Sequence, residues 1–206
     1  AARMDGVAGV HFDYIRYPNG KTCYCPTCRG RFEKLLGRKL EDWPKAVLTA
    51  GPLREQWLQF RRDNITRLVR EVSKEVRKIA PRCQVSAAVF KNYPQCRDDV
   101  GQDWKLWVEE GLLDFVCPMD YTGSDAAFAG QVKNQLDIVK GRIPCYPGVG
   151  LLEHDSPADA VRQIRITRAL KTGGFVIFAV YPQYMDTFQL LGKGVLGGIS
   201  TSVANR

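Results

Sequence analysis

GVHFDYIRYPNG, residues 9–20, is the stretch on which the reading of the fold turns. Its valine, phenylalanine and isoleucine favour a β-strand, yet it ends in Asp13, Tyr14, Arg16 and Tyr17 before Pro18 stops it. An aspartate within an apolar strand is costly unless a site uses the charge or a cation pairs with it, and Arg16 is the nearby candidate for such a pair. Function is the favoured reading of Asp13, with structural pairing to Arg16 as the alternative. Side chains alternate along a strand, so His11 and Asp13 share one face.

Beyond this strand the chain alternates strand and helix signals. A strand near 7–15 leads through a Cys-rich loop at 21–44 to a long helix at 52–80. Strands at 83–90, 114–121, 143–151 and 173–181 are followed by helices at 101–113, 126–141, 156–173 and 185–191, giving five β/α units. Ser156 with Pro157 marks a helix start, and Gly173 with Gly174 a stop. Strands apolar on both faces, alternating with helices, predict a parallel sheet covered by helices. No strand is followed by GxGxxG or GxxxxGK[ST], which disfavours an open sheet with a phosphate loop. Instead Asp13 and Tyr14, Lys91 and Asn92, Asp120 and Tyr121, Glu153 and His154, and Tyr181 and Gln183 fall at or just beyond strand C-terminal ends. Polar and aromatic groups gathered at that face are the pattern of a (β/α)8 barrel site. The predicted class is therefore α/β, a partial TIM (β/α)8-type barrel of about five parallel units, with 1–206 a single catalytic domain fragment.

The 206 residues, 45% hydrophobic and 10% aromatic, suffice for a sizeable core. No apolar run is long enough to span a membrane, and the first residues lack the regions of a signal peptide. Position 1 is not methionine and the first strand follows at once, so the expectation is that the natural chain begins earlier. Much of the net charge of +8 lies in the long helix. There Leu53, Trp57, Phe60, Ile65, Leu68, Val72, Val76 and Ile79 form an apolar stripe, and acidic residues interleave with the basic ones. A solvated helix face is favoured over a nucleic-acid partner. Of seven cysteines, Cys83, Cys117 and Cys145 lie in or beside apolar strands and read as small buried hydrophobes.

GVHFDYIRYP, DFVCPMDYTG and GGFVIFAVY together resemble the glycosyl-hydrolase-like family 10 domains and related glycosidase-like barrels, whose fourth strand ends in a similar sequence. The resemblance covers residues 5–191 and implies that the chain holds the fourth to eighth β/α units. The first three are then absent or supplied by another chain. Exposed sheet edges in such a fragment imply either self-association or that the chain is the ordered part of a longer protein. The glycan substrates usual for such families imply a carbohydrate substrate and an exported protein.

Glycoside cleavage needs two carboxyl groups, one to protonate the leaving oxygen and one to act as nucleophile or to activate water, and no cofactor. Asp13 and Asp120 are the best pair available. By analogy with the α-galactosidase and α-glucosidase barrels, Asp13 is the nucleophile and Asp120 the acid/base. Capping of the next turn is the structural alternative for Asp120. The Asn-Glu pair of the large β-glycosidase clan does not occur at this strand. Glu153 is a substitute partner for Asp13, although a solvated loop is its favoured reading. His11 orients a sugar hydroxyl or is a satisfied barrel histidine. Tyr14, Tyr121 and Tyr181 offer stacking faces, and Arg16 and Lys91 complete the expected substrate-binding set.

CYCPTCRGRF supplies Cys23, Cys25 and Cys28, close enough in sequence to converge on one metal. Structural zinc takes four ligands, and Cys96 is the one further candidate outside the strands. The segment resembles a zinc-binding loop of the large (β/α)8 β-galactosidases, in which an earlier loop supplies the fourth cysteine. A structural zinc and a disulfide or free thiols both stand as readings. The function these features favour is a glycoside hydrolase; the alternatives are a non-catalytic carbohydrate-binding barrel and, behind it, a zinc-containing nucleic-acid module.

Overall fold

The computed structural model describes residues 6–193. The order is β1 (Gly9–Phe12), α1 (Pro26–Leu36), α2 (Lys45–Leu48), α3 (Pro52–Ile79), β2 (Gln84–Phe90), α4 (Gln95–Val100), α5 (Trp104–Glu109), β3 (Phe115–Met119), α6 (Asp125–Val139), β4 (Gly148–Gly150), α7 (Pro157–Ala169), β5 (Val176–Phe178) and α8 (Met185–Lys193). Short 3₁₀ turns occupy Leu151–Glu153 and Pro182–Tyr184. Residues 1–5 and 194–206 of the expected domain, including the start of the family resemblance at residue 5, lie outside the described residues. The chain divides into two compact units, Ala1–Val116 and Cys117–Arg206. Among the described residues no helix is long and apolar enough to cross a membrane.

The expected parallel pairing is present. In the first unit β1 lies parallel to β2 with His11 opposite Ser86 and Phe12 opposite Ala87. The sheet order is β1-β2-β3, and Phe115 and Val116 of β3 close this unit. In the second unit β4 lies parallel to β5, Gly148 opposite Val176 and Gly150 opposite Phe178. The fold is thus mixed α/β with parallel strands, arranged as a three-stranded and a two-stranded sheet among the described residues. The strands are not all covered on both faces. β2 and β4 are largely buried, whereas β1 and β5 alternate between half-buried and exposed residues.

Helix α3 organises the first unit. Trp57, Phe60, Thr66, Val69, Ser73 and Val76 are its buried face, at the three- and four-residue spacing of one helical side. The expected stripe is corrected at Leu68 and Ile79, which are exposed. Thr66 and Ser73 take the buried positions instead, and Thr66 Oγ1 accepts the Trp107 indole N–H at 2.9 Å. The outer face carries ion pairs from Arg62 to Asp98, Arg70 to Glu110 and Arg77 to Asp114. In the second unit, Phe128 and Val132 of α6, Ala160 and Ile164 of α7, Leu191 of α8 and Val149 of β4 form the core. Helix α7 begins as expected, with Ser156 and Asp159 making a reciprocal capping box ahead of Pro157.

The Cys-rich stretch at 21–44 is corrected from a loop to a loop followed by a helix. Cys25 caps α1 by accepting the Cys28 N–H, Pro26 sits in its first turn, and Gly37 ends it with φ of 68°. Phe32 on this helix packs edge-on against Trp57, with ring centroids 5.0 Å apart. The turn after α1 is held by Glu33, which is buried and accepts from the Leu40 N–H at 3.0 Å and from Arg29 Nε at 2.8 Å. The Leu40 N–H, then Arg29, hold the Glu33 carboxyl down at about 2. Its stabilising contribution is complete above the ordinary value of 4.5 and disappears as pH falls toward about 2. Melting temperatures measured between those limits are expected to fall less steeply for Glu33→Gln than for the unsubstituted protein; parallel curves would contradict this role.

Candidate functional site

The C-terminal end of β1 holds the first cluster. Tyr14 adopts a left-handed backbone with φ of 51°, a conformation that costs a non-glycine residue about 1–2 kcal/mol. The bend is held by the Tyr14 N–H donating to Asp13 Oδ1 at 2.7 Å and by the Arg16 N–H donating to the Tyr14 carbonyl at 2.8 Å. Strained residues of this kind gather at working sites. Here the bend turns the chain off the strand and leaves Asp13 and Tyr14 exposed.

The structural alternative for Asp13 was an ion pair with Arg16, and the ion pairs among the described residues do not include it. The Arg16 guanidinium lies instead over two aromatic rings, 4.6 Å from the Tyr14 centroid and 4.5 Å from that of Phe90. Each such contact is worth about 0.5–2 kcal/mol. Arg16 is therefore occupied away from Asp13. His11 Nδ1 lies 2.8 Å from Ser86 Oγ, its neighbour across the ladder. Partial burial lowers the His11 pKa, against the opposing pull of Asp13. Lys91, half-buried, follows Phe90 at the end of β2.

One residue that the sequence reading missed ties these strand ends together. Gln102, fully buried, accepts the Phe90 N–H through Oε1 at 2.6 Å and donates through Nε2 to the carbonyls of Ile15 and Ala88, each at 3.4 Å. It thereby sets the Phe90 ring and the Tyr14–Arg16 bend in one frame.

In the second unit Asp120 follows β3 and is wholly buried, accepting a hydrogen bond from Gln135 of α6. Tyr121 stacks on Phe178 of β5 with ring centroids 5.3 Å apart. Tyr121 presses on β4 so closely that a Cβ at Gly150 would meet the Tyr121 Cβ at 2.8 Å and its ring at 2.9 Å, and one at Gly148 would meet the ring at 2.9 Å. These glycines are therefore required for close approach, a signal present in the sequence but not read there. Glu153 is exposed on its 3₁₀ turn, in keeping with the favoured solvated reading, and Tyr181 is exposed beside Tyr184. The structure thus gathers His11, Asp13, Tyr14 and Arg16 at one strand end of the first unit, while Asp120, Tyr121, Glu153 and Tyr181 belong to the second.

Cys23, Cys25 and Cys28 have their sulfur atoms within 4.8 Å of one another. The Cys28 N–H, followed by the thiols of Cys23 and Cys28, lowers the Cys25 pKa to about 7, and burial pushes Cys28 up to about 12. Cys96 is not the fourth member of this group. It is buried in α4 with Sγ 3.5 Å from the Gln102 carbonyl.

Residues 3–144 match the family model described as glycosyl hydrolase-like 10. The chain belongs to the glycosyl hydrolase-like 10 family. No curated protein sequence matches it. Among solved structures it resembles bee venom hyaluronidase, with a TM-score of 0.56 and 13% identity, over 94% of this chain and 70% of that one. At that identity the likeness is one of fold. The family match spans β1, with the Asp13 cluster, and β3, with Asp120.

Gln102 offers the sharpest test of how this family member holds its site. Gln102→Leu keeps the volume but leaves the Phe90 N–H without its acceptor, and is expected to cost about 1–3 kcal/mol of stability. Chemical denaturation reads this directly, and an unchanged midpoint would show that the amide is dispensable.

Proposed function

We propose that this chain forms the fourth to eighth β/α units of a (β/α)8-type glycosidase barrel and hydrolyses a glycosidic bond of a poly- or oligosaccharide. Family membership and the fold shared with a hyaluronidase support this reading. The observation that carries it is the state of Asp13: an exposed carboxylate at a strand end, with its neighbouring arginine engaged by Tyr14 and Phe90. A carboxylate kept out of an ion pair is available to attack an anomeric carbon or to activate water. Asp13 is assigned the nucleophile or base and Asp120 the acid/base. Tyr14, Tyr121 and Tyr181 are assigned sugar stacking, with His11, Arg16, Lys91 and Glu153 contacting hydroxyls.

A second reading, a carbohydrate-binding barrel without catalysis, is favoured by one observation. Asp120 is wholly buried and held by Gln135, as a structural acid would be. Assay against a glycan panel separates the two. On the catalytic reading Asp13→Asn lowers kcat/KM by about 10²–10⁴-fold while sugar binding persists, and Asp120→Asn does likewise. Hydrolysis that survives Asp13→Asn would overturn the assignment. Sugar binding without turnover in the unsubstituted protein would establish the second reading.

A further inference from the structure

We propose that Cys23, Cys25 and Cys28 bind one thiophilic divalent cation, zinc, at the junction of the β1–α1 loop and the first turn of α1. The inference stands independently of the glycosidase reading.

The geometry is close to that of a bound site. A tetrahedral zinc with Zn–S distances of about 2.3 Å places its sulfurs about 3.8 Å apart. The three sulfurs already lie within 4.8 Å of one another, so closing on a cation needs shifts of under about 1 Å. All three thiols are free. Cys25 Sγ also accepts the Cys28 backbone N–H at 3.5 Å, so a main-chain bond within the set orients one of its sulfurs.

A second observation concerns charge. Arg61 of α3 is 1% exposed, and its Nε–H has no hydrogen-bond partner among the described residues. It belongs to none of the ion pairs there. Its NH2 group donates to the carbonyls of Asn19 at 2.9 Å and Thr22 at 2.7 Å, on the loop that leads into Cys23, and its guanidinium lies 4.5 Å from the Tyr17 ring centroid. A buried cation that makes no ion pair is unfavourable, and Asp99 acts on this one only as an electrostatic neighbour. Three thiolates around a divalent cation carry a net charge of minus one, and Cys28 of that set is among the electrostatic neighbours of this arginine, so the loaded cluster adds counter-charge to it. A disulfide between two of the cysteines would supply no charge and would strand the third. The fourth coordination position falls to solvent or to a donor outside the cluster, which makes the metal exchangeable.

The test uses the protein purified under reductant without chelator. Elemental analysis is expected to find about one zinc per chain. Cobalt loading is expected to give a thiolate-to-cobalt charge-transfer band in the near ultraviolet. Cys23→Ser and Cys28→Ser lose both signals, whereas Cys96→Ser retains them; circular dichroism confirms folding of each variant. If a variant fails to fold, the cobalt band of the unsubstituted protein still decides the matter. Absence of zinc after loading, a cobalt spectrum without thiolate character, or uptake undiminished in the folded cysteine variants would each overturn the proposal.

Discussion

A single buried amide holds the candidate site together. Gln102 bonds to Ile15, Ala88 and Phe90, so the backbone leaving β1 and the backbone ending β2 are fixed against one residue. The consequences run outward from there. With Phe90 placed, its ring and that of Tyr14 take up the Arg16 guanidinium, and Asp13 is left with a backbone N–H as its described partner. The same frame fixes the left-handed bend at Tyr14, whose conformational cost the surrounding contacts must offset.

The same economy of contacts operates around Arg61 of α3. Arg61 is buried beneath the loop that carries the cysteines and holds it through two carbonyls. Gly101, with φ of 71°, lets the backbone after α4 pass within 3.2 Å of the Arg61 carbonyl and 3.3 Å of the Tyr17 ring, measured from where a Cβ would sit. The aromatic cluster of Tyr24, Phe32, Trp43, Trp57 and Phe60 then anchors α1 against α3. The loop between β1 and α1 is thus fixed from both ends.

Much of the fold was legible because its signals are local. Period-two and period-3.6 patterns mark β1, α3, β2, β3, α6 and α7, and Ser156-Pro157 marks a helix start. Helix α1 was hidden because a cysteine, an uncommon N-cap, opens it and its thiols drew the reading toward a loop. The α3 stripe was misjudged where small polar residues, Thr66 and Ser73, are buried in place of larger apolar ones. In the site, Asp13 and Arg16 were visible as residues, but their separation was not. It depends on Phe90 and Gln102, which are distant in sequence and carry no motif. The burial of Asp120 against Gln135 likewise arises only from tertiary packing.

The most direct test of the central claim, that the end of β1 presents Asp13 to a sugar, is a crystal structure of Asp13→Asn with a bound oligosaccharide. The account predicts an anomeric carbon or glycosidic oxygen within about 3–3.5 Å of the position-13 side chain, with a sugar ring against Tyr14. An oligosaccharide bound elsewhere, with position 13 turned away from it, would contradict the account.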